Sequence, residues 1–369
     1  MPGRYDVVIV GAGAAGVGMG VVLQNLGVTN FTLLDRYEVG ASFLRWPAEM
    51  RFISPSFTSN GFGLLDLNAV PLNASPAHSL REEHPTGRSY AHYLKAVAAH
   101  FALPVQEGVD VTTVRPEAGG FALATSAGQL KSRFVIWAAG EFQYPNQNVF
   151  AGAEHCIHNA TVPSWQELAG DEFVVVGGFE SGIDAAVNLV RAGKQVRVLD
   201  DTAPWELVAP DPSISLSPYT QGRLRKAQAS GRLELIPAGV DRVERQNGHY
   251  IVHGLAGERW ISPTAPILAT GFAGSLSLVH ELFDWHEEQY YALLTGDDES
   301  TKTPGLFLVG PAVRHGSIIL CFIYKFRQRF AVVAHAIGQR LGLDTGVLDA
   351  YRPQMFLDDL NCCDDTCAC

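Results

Sequence analysis

Hydrophobic positions along this chain fall into short solid runs separated by stretches with helical spacing. Val7-Val8-Ile9-Val10 is followed at once by glycines and alanines, then by a long apolar stretch, then by Phe31-Thr32-Leu33-Leu34. A short apolar run bounded by glycine predicts a strand buried on both faces, as in parallel sheets. The order returns at Phe173-Val174-Val175-Val176, with a helix predicted over 183–192, Gly193 as its stop and a strand over Gln195–Leu199. Two copies of strand, turn, helix and strand predict an α/β chain built from two Rossmann-like units. Between them, residues 36–80 show little periodicity and are rich in Pro, Ser, Asn and aromatic residues. A long irregular segment inside a compact domain is usually functional. Thr86 then stands ready to cap a helix carrying Tyr90, Tyr93, Leu94, Val97, Ala98 and Phe101. Short strands are expected near 109–114, 121–125 and 134–137, and again near 233, 240, 250 and 267, with a closing helix over about 320–341.

The residues between the first strand and its helix carry candidate chemistry. Gly11, Gly13 and Gly16, with Ala12, Ala14 and Ala15 between them, have G-x-G-x-x-G spacing. The first glycine makes the tight turn, the second lets a diphosphate approach the backbone, and the third lets the helix pack on the strand. The helix N-terminus offers free N–H groups and a positive dipole end to the phosphates. Asp35, at the end of the second strand, is the acid expected to bind a ribose hydroxyl, with Arg36 beside it. The second unit has Gly177 and Gly182, but its middle glycine is replaced by Phe179. A bulky residue there obstructs the phosphates and is strained if the position needs positive φ. Asp200 and Asp201 favour a 2′-hydroxyl over a 2′-phosphate, which points to NADH.

Composition changes the picture only by exclusion. The 369 residues suit two domains or one interrupted by another. Acids outnumber bases by 38 to 27, for a net charge of −11, which argues against nucleic acid and anionic membrane as partners. No apolar stretch reaches the length of a membrane span. Four of the six cysteines crowd into the last eight residues, so no disulfide framework is expected and a cytoplasmic location is.

Gly11–Gly16, Ala138-Ala139-Gly140, Gly177–Gly182 and Ala269-Thr270-Gly271, with Pro304–Gly310 as a fifth landmark, resemble the two-dinucleotide-domain flavoproteins. These are the thioredoxin reductases, the bacillithiol-disulfide-reductase-like proteins and the flavin-containing monooxygenases. The resemblance implies an FAD-binding domain of residues 1–155 and 275–345, with an NAD(P)-binding-like domain, 156–274, inserted in it. It implies that FAD lies against Gly11–Gly16, Asp35, Arg36, Phe43, Trp46, Ala139, Gly140, Gly310 and Pro311, and that NADH or NADPH lies against Gly177 and Gly182. A small-molecule or thiol/disulfide acceptor is expected, and a homodimer as well, because thiols at the chain end can reach the flavin of a symmetry mate. The chain departs from those families in places. It has no Cys-x-x-Cys before residue 360, and Pro311 stands where an acid is usual. Cys156 occupies the position of the monooxygenase histidine that follows Phe150-Ala151-Gly152. Asn60 resembles the asparagine that monooxygenases place near the flavin, and a turn residue before Gly61 is its simpler reading.

Residues 346–369 read as a Cys-rich tail holding Cys362, Cys363, Cys367 and Cys369, polar and acidic from Leu357 onward. The thiols suit either a redox relay to the flavin or capture of Zn or Cu(I), and the neighbouring acids raise thiol pKa while attracting cations. Three functions follow: an FAD-dependent oxidoreductase taking electrons from NAD(P)H, a monooxygenase, or a non-catalytic flavoprotein with a metal-binding tail.

Overall fold

The computed structural model describes residues 4–58, 65–209 and 211–360. The first apolar run forms β1 (Tyr5–Val10), the glycine turn leads into α1 (Ala14–Asn25), and β2 (Phe31–Asp35) lies parallel to β1. The irregular segment holds two short helices, α2 (Ala41–Leu44) and α3 (Pro76–Leu80). The Thr86 hydroxyl then accepts the Ser89 N–H at 3.1 Å and starts α4 (Gly87–His100). Strands β3 (Val105–Glu107), β4 (Val111–Glu117), β5 (Gly120–Thr125) and β6 (Gly128–Trp137) complete a sheet in the order β3-β2-β1-β6-β5-β4.

The chain then leaves this sheet and builds a second one. It runs through β7 (Ile157–His158), β8 (Glu172–Val176), α5 (Glu180–Arg191), β9 (Gln195–Leu199), α6 (Pro218–Gln228) and β10 (Leu233–Ile236). An antiparallel ribbon, β11 (Val240–Gln246), β12 (His249–Gly254) and β13 (Arg259–Ser262), leads to β14 (Ile267–Leu268). The second sheet is parallel throughout, ordered β10-β9-β8-β14-β7. Then β15 (Leu306–Leu308) pairs with the end of β6 and returns the chain to the first sheet, which thereby has seven strands. The second unit is therefore inserted in the first, the α/β arrangement expected of two Rossmann-like layers.

α1 is buried along nearly its whole length, because its glycines let neighbours close on it. A Cβ on Gly18 would lie 2.2 Å from the ring of Phe330, so that glycine sets the distance to the last long helix. That closing helix is not the single element expected from spacing. It divides into α7 (Ile323–Phe326), a 3₁₀ turn over Arg327–Arg329, and α8 (Phe330–Leu341). The 3₁₀ turn lets two arginines, both buried, point inward from one turn. Arg327 donates to the carbonyls of Leu65, Asp66 and Ala69, closing the irregular segment onto the core. Arg329 forks onto Asp298 with two bonds of 2.9 Å, and His315 Nε2 meets the same carboxylate at 2.6 Å. Apolar spacing alone does not register such a break. The tail also begins later than residue 346: Leu348, Tyr351 and Met355 are buried in the first core, and Leu357 bonds back to Gln328.

The two units are tied by polar contacts. Glu49 accepts from the Ser164 hydroxyl at 2.6 Å and from the Trp165 N–H at 2.9 Å. Burial pushes its carboxyl up, but these bonds outweigh burial and hold it below the ordinary range. His84 stacks on Tyr219 at 3.8 Å, and the Lys325 ammonium, buried, bonds Asp211 at 2.6 Å.

Arg329→Leu should leave Asp298, whose side chain has no solvent exposure, without its guanidinium and with only the His315 ring on its carboxylate. Removing one partner of such a pair costs about 3–5 kcal/mol. Thermal unfolding should show a large fall in Tm, and a change of under about 1 kcal/mol would mean that the pair contributes little.

Candidate functional site

The site is built on the turn between β1 and α1. Gly11 adopts φ +107°, and a Cβ there would strike the Ala138 carbonyl at 2.4 Å. A Cβ on Gly16 would lie 1.9 Å from the Gly11 carbonyl. Both glycines are required by close backbone approach, as their spacing predicts. Gly13 is different. It has ordinary backbone, φ −78° and ψ −165°, and a Cβ there would meet nothing within 4 Å. Its free face opens on the first turn of α1, where unpaired backbone N–H groups and the positive helix end favour an anion. Asp35 closes the turn from below: its carboxylate accepts the N–H of Ala12 at 2.8 Å and that of Tyr37 at 2.9 Å. Burial raises its pKa, and the two N–H bonds oppose that shift.

The second unit repeats this backbone. Gly177 has φ +102°, and a Cβ there would strike the Ala269 carbonyl at 2.4 Å. A Cβ on Gly182 would lie 1.9 Å from the Gly177 carbonyl, and Asp200 accepts the Gly178 N–H at 2.7 Å. Phe179 has φ −84°, so the strain that positive φ would impose is absent.

A cavity of about 380 Å³, within the range of small-molecule and cofactor sites, runs from the first turn across the face between the units. Gly11, Gly13, Ala14, Ala15 and Asp35 form one end. Ala139 and Gly140, after β6, form the floor, and Phe43, Trp46, Phe142 and Phe322 form an aromatic wall. Pro311 also reaches it, whereas Gly310 sits behind, its φ of +105° bringing it against Ala15. Ala12 and Gly16 do not line this cavity, because each is spent on the turn itself. Arg36 is placed beside Asp35 at a smaller neighbouring recess, where it bonds Asp110 at 2.8 Å and the Tyr144 hydroxyl at 3.0 Å. Gly177 and Gly182 lie in the second turn, not on the cavity. Asn60, Cys362, Cys363, Cys367 and Cys369 lie outside the described residues. Among the described residues, no group of His, Cys, Asp and Glu is arranged to hold a metal ion, and no helix is long and apolar enough to cross a membrane.

Sequence reasoning missed several lining residues. Glu141, directly after the strand-end Gly140, lines the cavity with its side chain still exposed to solvent. Glu180 and Asp184, from the first turns of α5, reach the cavity from the other unit, and Asp184 is paired with Arg223 at 2.7 Å. The position of Glu141 after a strand-end glycine was a readable signal. That α5 would face the first unit was not. Cys321 lines the cavity and bonds the Ser213 hydroxyl at 3.2 Å, while burial raises its thiol pKa. Cys156 is off the cavity, its thiol pushed up to about 12 by burial and by Glu154. His158 bonds the Gly271 carbonyl through Nε2 at 3.1 Å and accepts the Ala160 N–H at Nδ1, so it is neutral with its proton on Nε2.

Comparison with known proteins agrees with this architecture. The chain is 29% identical over 193 residues to CzcO, an uncharacterized oxidoreductase of Bacillus velezensis, covering 51% of this chain. That match spans about half the relative's length, 52%. It is 25% identical over 292 residues to a ferredoxin–NADP reductase of Gluconobacter oxydans, covering 76% of this chain and 82% of that one. Bacillithiol disulfide reductase Bdr (YpdA) of Staphylococcus aureus has the same fold, with a TM-score of 0.75 at 18% identity, covering 91% of this chain and 99% of that one. Residues 8–310 match the pyridine nucleotide-disulphide oxidoreductase family, and the chain belongs to it.

Proposed function

We propose that this chain is an FAD-dependent oxidoreductase that takes two electrons from a nicotinamide nucleotide and passes them to a disulfide, a thiol-bound metal or another small acceptor. The observation that carries the reading is the open seat at Gly13, flanked by the forced approaches of Gly11 and Gly16 and backed by Asp35. A cradle that a Cβ leaves clear, over the N-terminus of a long buried helix, fits the diphosphate of a dinucleotide. Asp35 keeps lone pairs free beyond its two backbone bonds, and these accept from a ribose. Arg36, held by Asp110, borders the adenosine end. The aromatic wall of Phe43 and Trp46 and the floor of Ala139 and Gly140 hold the flat end of the ligand, with Pro311 against it. FAD, when bound, supplies the two-electron chemistry, and the protein supplies orientation and exclusion of water. In this reading the FAD-binding part comprises residues 1–155 and 275–345.

The acceptor side is the aromatic end of the cavity, where Glu141 and Cys321 stand. With its thiol pKa raised, Cys321 is a slow nucleophile at neutral pH. The four terminal cysteines, Cys362, Cys363, Cys367 and Cys369, are assigned a relay that meets an acceptor disulfide, on their number and clustering, with soft-metal capture as the competing role. A homodimer would let the tail of one chain serve the cavity of its mate.

Three outcomes are expected. The purified protein should be yellow, and Gly13→Glu should fold normally, because the position is open and its φ ordinary, yet lose its flavin. A colourless wild type that FAD cannot reconstitute would overturn the reading. Truncation after Leu360 should leave flavin retention intact while abolishing reduction of the disulfide 5,5′-dithiobis(2-nitrobenzoate). Unchanged turnover together with loss of bound Zn or Cu would assign the tail to metal instead. Glu141→Gln should remove the fall in rate that loss of the Glu141 proton causes as pH rises, in flavin re-oxidation by benzoquinone, a proton-requiring acceptor, and leave ferricyanide, which needs no proton, unaffected.

A further inference from the structure

The two turns share one backbone and differ in what stands on it. Gly13 and Phe179 hold the same place, each the residue before its helix, with φ, ψ of −78°, −165° and −84°, −163°. A Cβ at Gly13 meets nothing within 4 Å. On the shared backbone, the side chain of Phe179 therefore stands where the first unit leaves room for a diphosphate, and it packs against the core of the second unit. Beside it lies Trp205, from the segment after β9. A Cβ on Gly178 would fall 2.4 Å from the indole ring, so the ring lies directly on the turn.

The helix end is altered as well. Where α1 begins with Ala14, α5 begins with Glu180, whose carboxylate accepts the Ser217 N–H and the Thr220 hydroxyl at 2.5 Å each. A phosphate at a helix N-terminus needs open approach to backbone donors. Here aromatic bulk fills the approach, and an acceptor stands at the helix end. The cavity still reaches this helix at Glu180, Ser181 and Asp184, from the side of the aromatic wall. A flat ring can lie along that path, but a diphosphate cannot follow it into the turn.

We infer that the second unit recognises a nicotinamide donor by its ring alone, because Phe179 and Trp205 close the seat in which the adenosine diphosphate half would lie. The identity of the donor rests on the proposed function, whereas the closure rests on the chain's own geometry. Asp200 is engaged by the Gly178 N–H and by the Thr202 N–H at 2.9 Å. With the seat closed, no adenosine ribose reaches it. The NADH preference expected from Asp200 and Asp201 then has nothing to act on, and NADH, NADPH and reduced nicotinamide mononucleotide are treated alike.

The test is calorimetric titration by ADP-ribose of the FAD-saturated protein, or of the Gly13→Glu background where no FAD is retained, so that the open first seat is filled or blocked and only the second unit is read. Wild type should give no saturable binding, whereas Phe179→Gly with Trp205→Ala should gain about tenfold or more in affinity. Phe179→Gly alone should move in the same direction, and it places on this backbone the residue that the first unit already carries there. A second readout is bleaching of the flavin under anaerobic conditions. Wild type should respond equally to reduced nicotinamide mononucleotide, NADH and NADPH, and the double variant should speed with NADH only. Tight binding of ADP-ribose by wild type, or its loss in the variants, would overturn the inference. A protein without flavin would defeat the proposed function, while the ADP-ribose titration would still decide this point.

Discussion

The structure depends on how closely the backbone at the end of β1 approaches the strand beside it. At Gly11 a single methyl would overlap the Ala138 carbonyl, and at Gly16 it would overlap the carbonyl of Gly11 itself. Because neither position carries a side chain, α1 starts directly above β1 and points its N-terminus at the end of the sheet. The parallel pairing of β1 with β2 and β6 brings Asp35 and the Ala139–Gly140 floor to the same edge. Everything that lines the first half of the cavity follows from that one crowded turn. The binding crevice of an open parallel sheet lies at the carboxyl ends of its strands for the same reason.

The same crowding recurs at Gly177 and Gly182, which shows that the second unit retains the framework. What differs is carried by side chains on an unchanged backbone. Phe179, Trp205 and Glu180 convert an open anion seat into a filled one without disturbing β8, α5 or β9. Close glycines preserve the fold of a unit, and the open position between them decides what the unit holds. The polar ties from Glu49, His84 and Lys325 then fix the second unit so that α5 forms one side of the cavity built on the first.

Much of this was legible in the sequence where the signal is local. The runs that became β1, β2 and β8, the cap at Thr86, the three glycines and Asp35 are short-range patterns, and each is set by contacts within one strand–turn–helix unit. Signals that depend on remote partners were not legible. The closing helix breaks because Arg327 reaches the carbonyls of residues 65–69 and Arg329 reaches Asp298, and no apolar periodicity records either contact. By contrast, the burial of Leu348, Tyr351 and Met355 was legible, because they stand at helical i, i+3, i+7 spacing in a segment that also holds Val347, Phe356 and Leu357; the acids and cysteines that follow drew the tail boundary too early. Trp205 gave no sign of lying on Gly178, since that contact exists only once β9 has returned beside β8. The strain expected at Phe179 was absent because the second position of the motif adopts ordinary backbone in both units.

The molecule builds one framework twice, with the seat between the close glycines bare at Gly13 and occupied by Phe179 in the second unit. The most direct measurement is the stoichiometry of FAD at saturation, read by titrating flavin-stripped protein and following the change in flavin absorbance. Both turns have the backbone for an adenosine diphosphate group, but only the first has the space. Saturation at one FAD per chain is the predicted result. Saturation at two per chain, or no binding at all, would contradict the account.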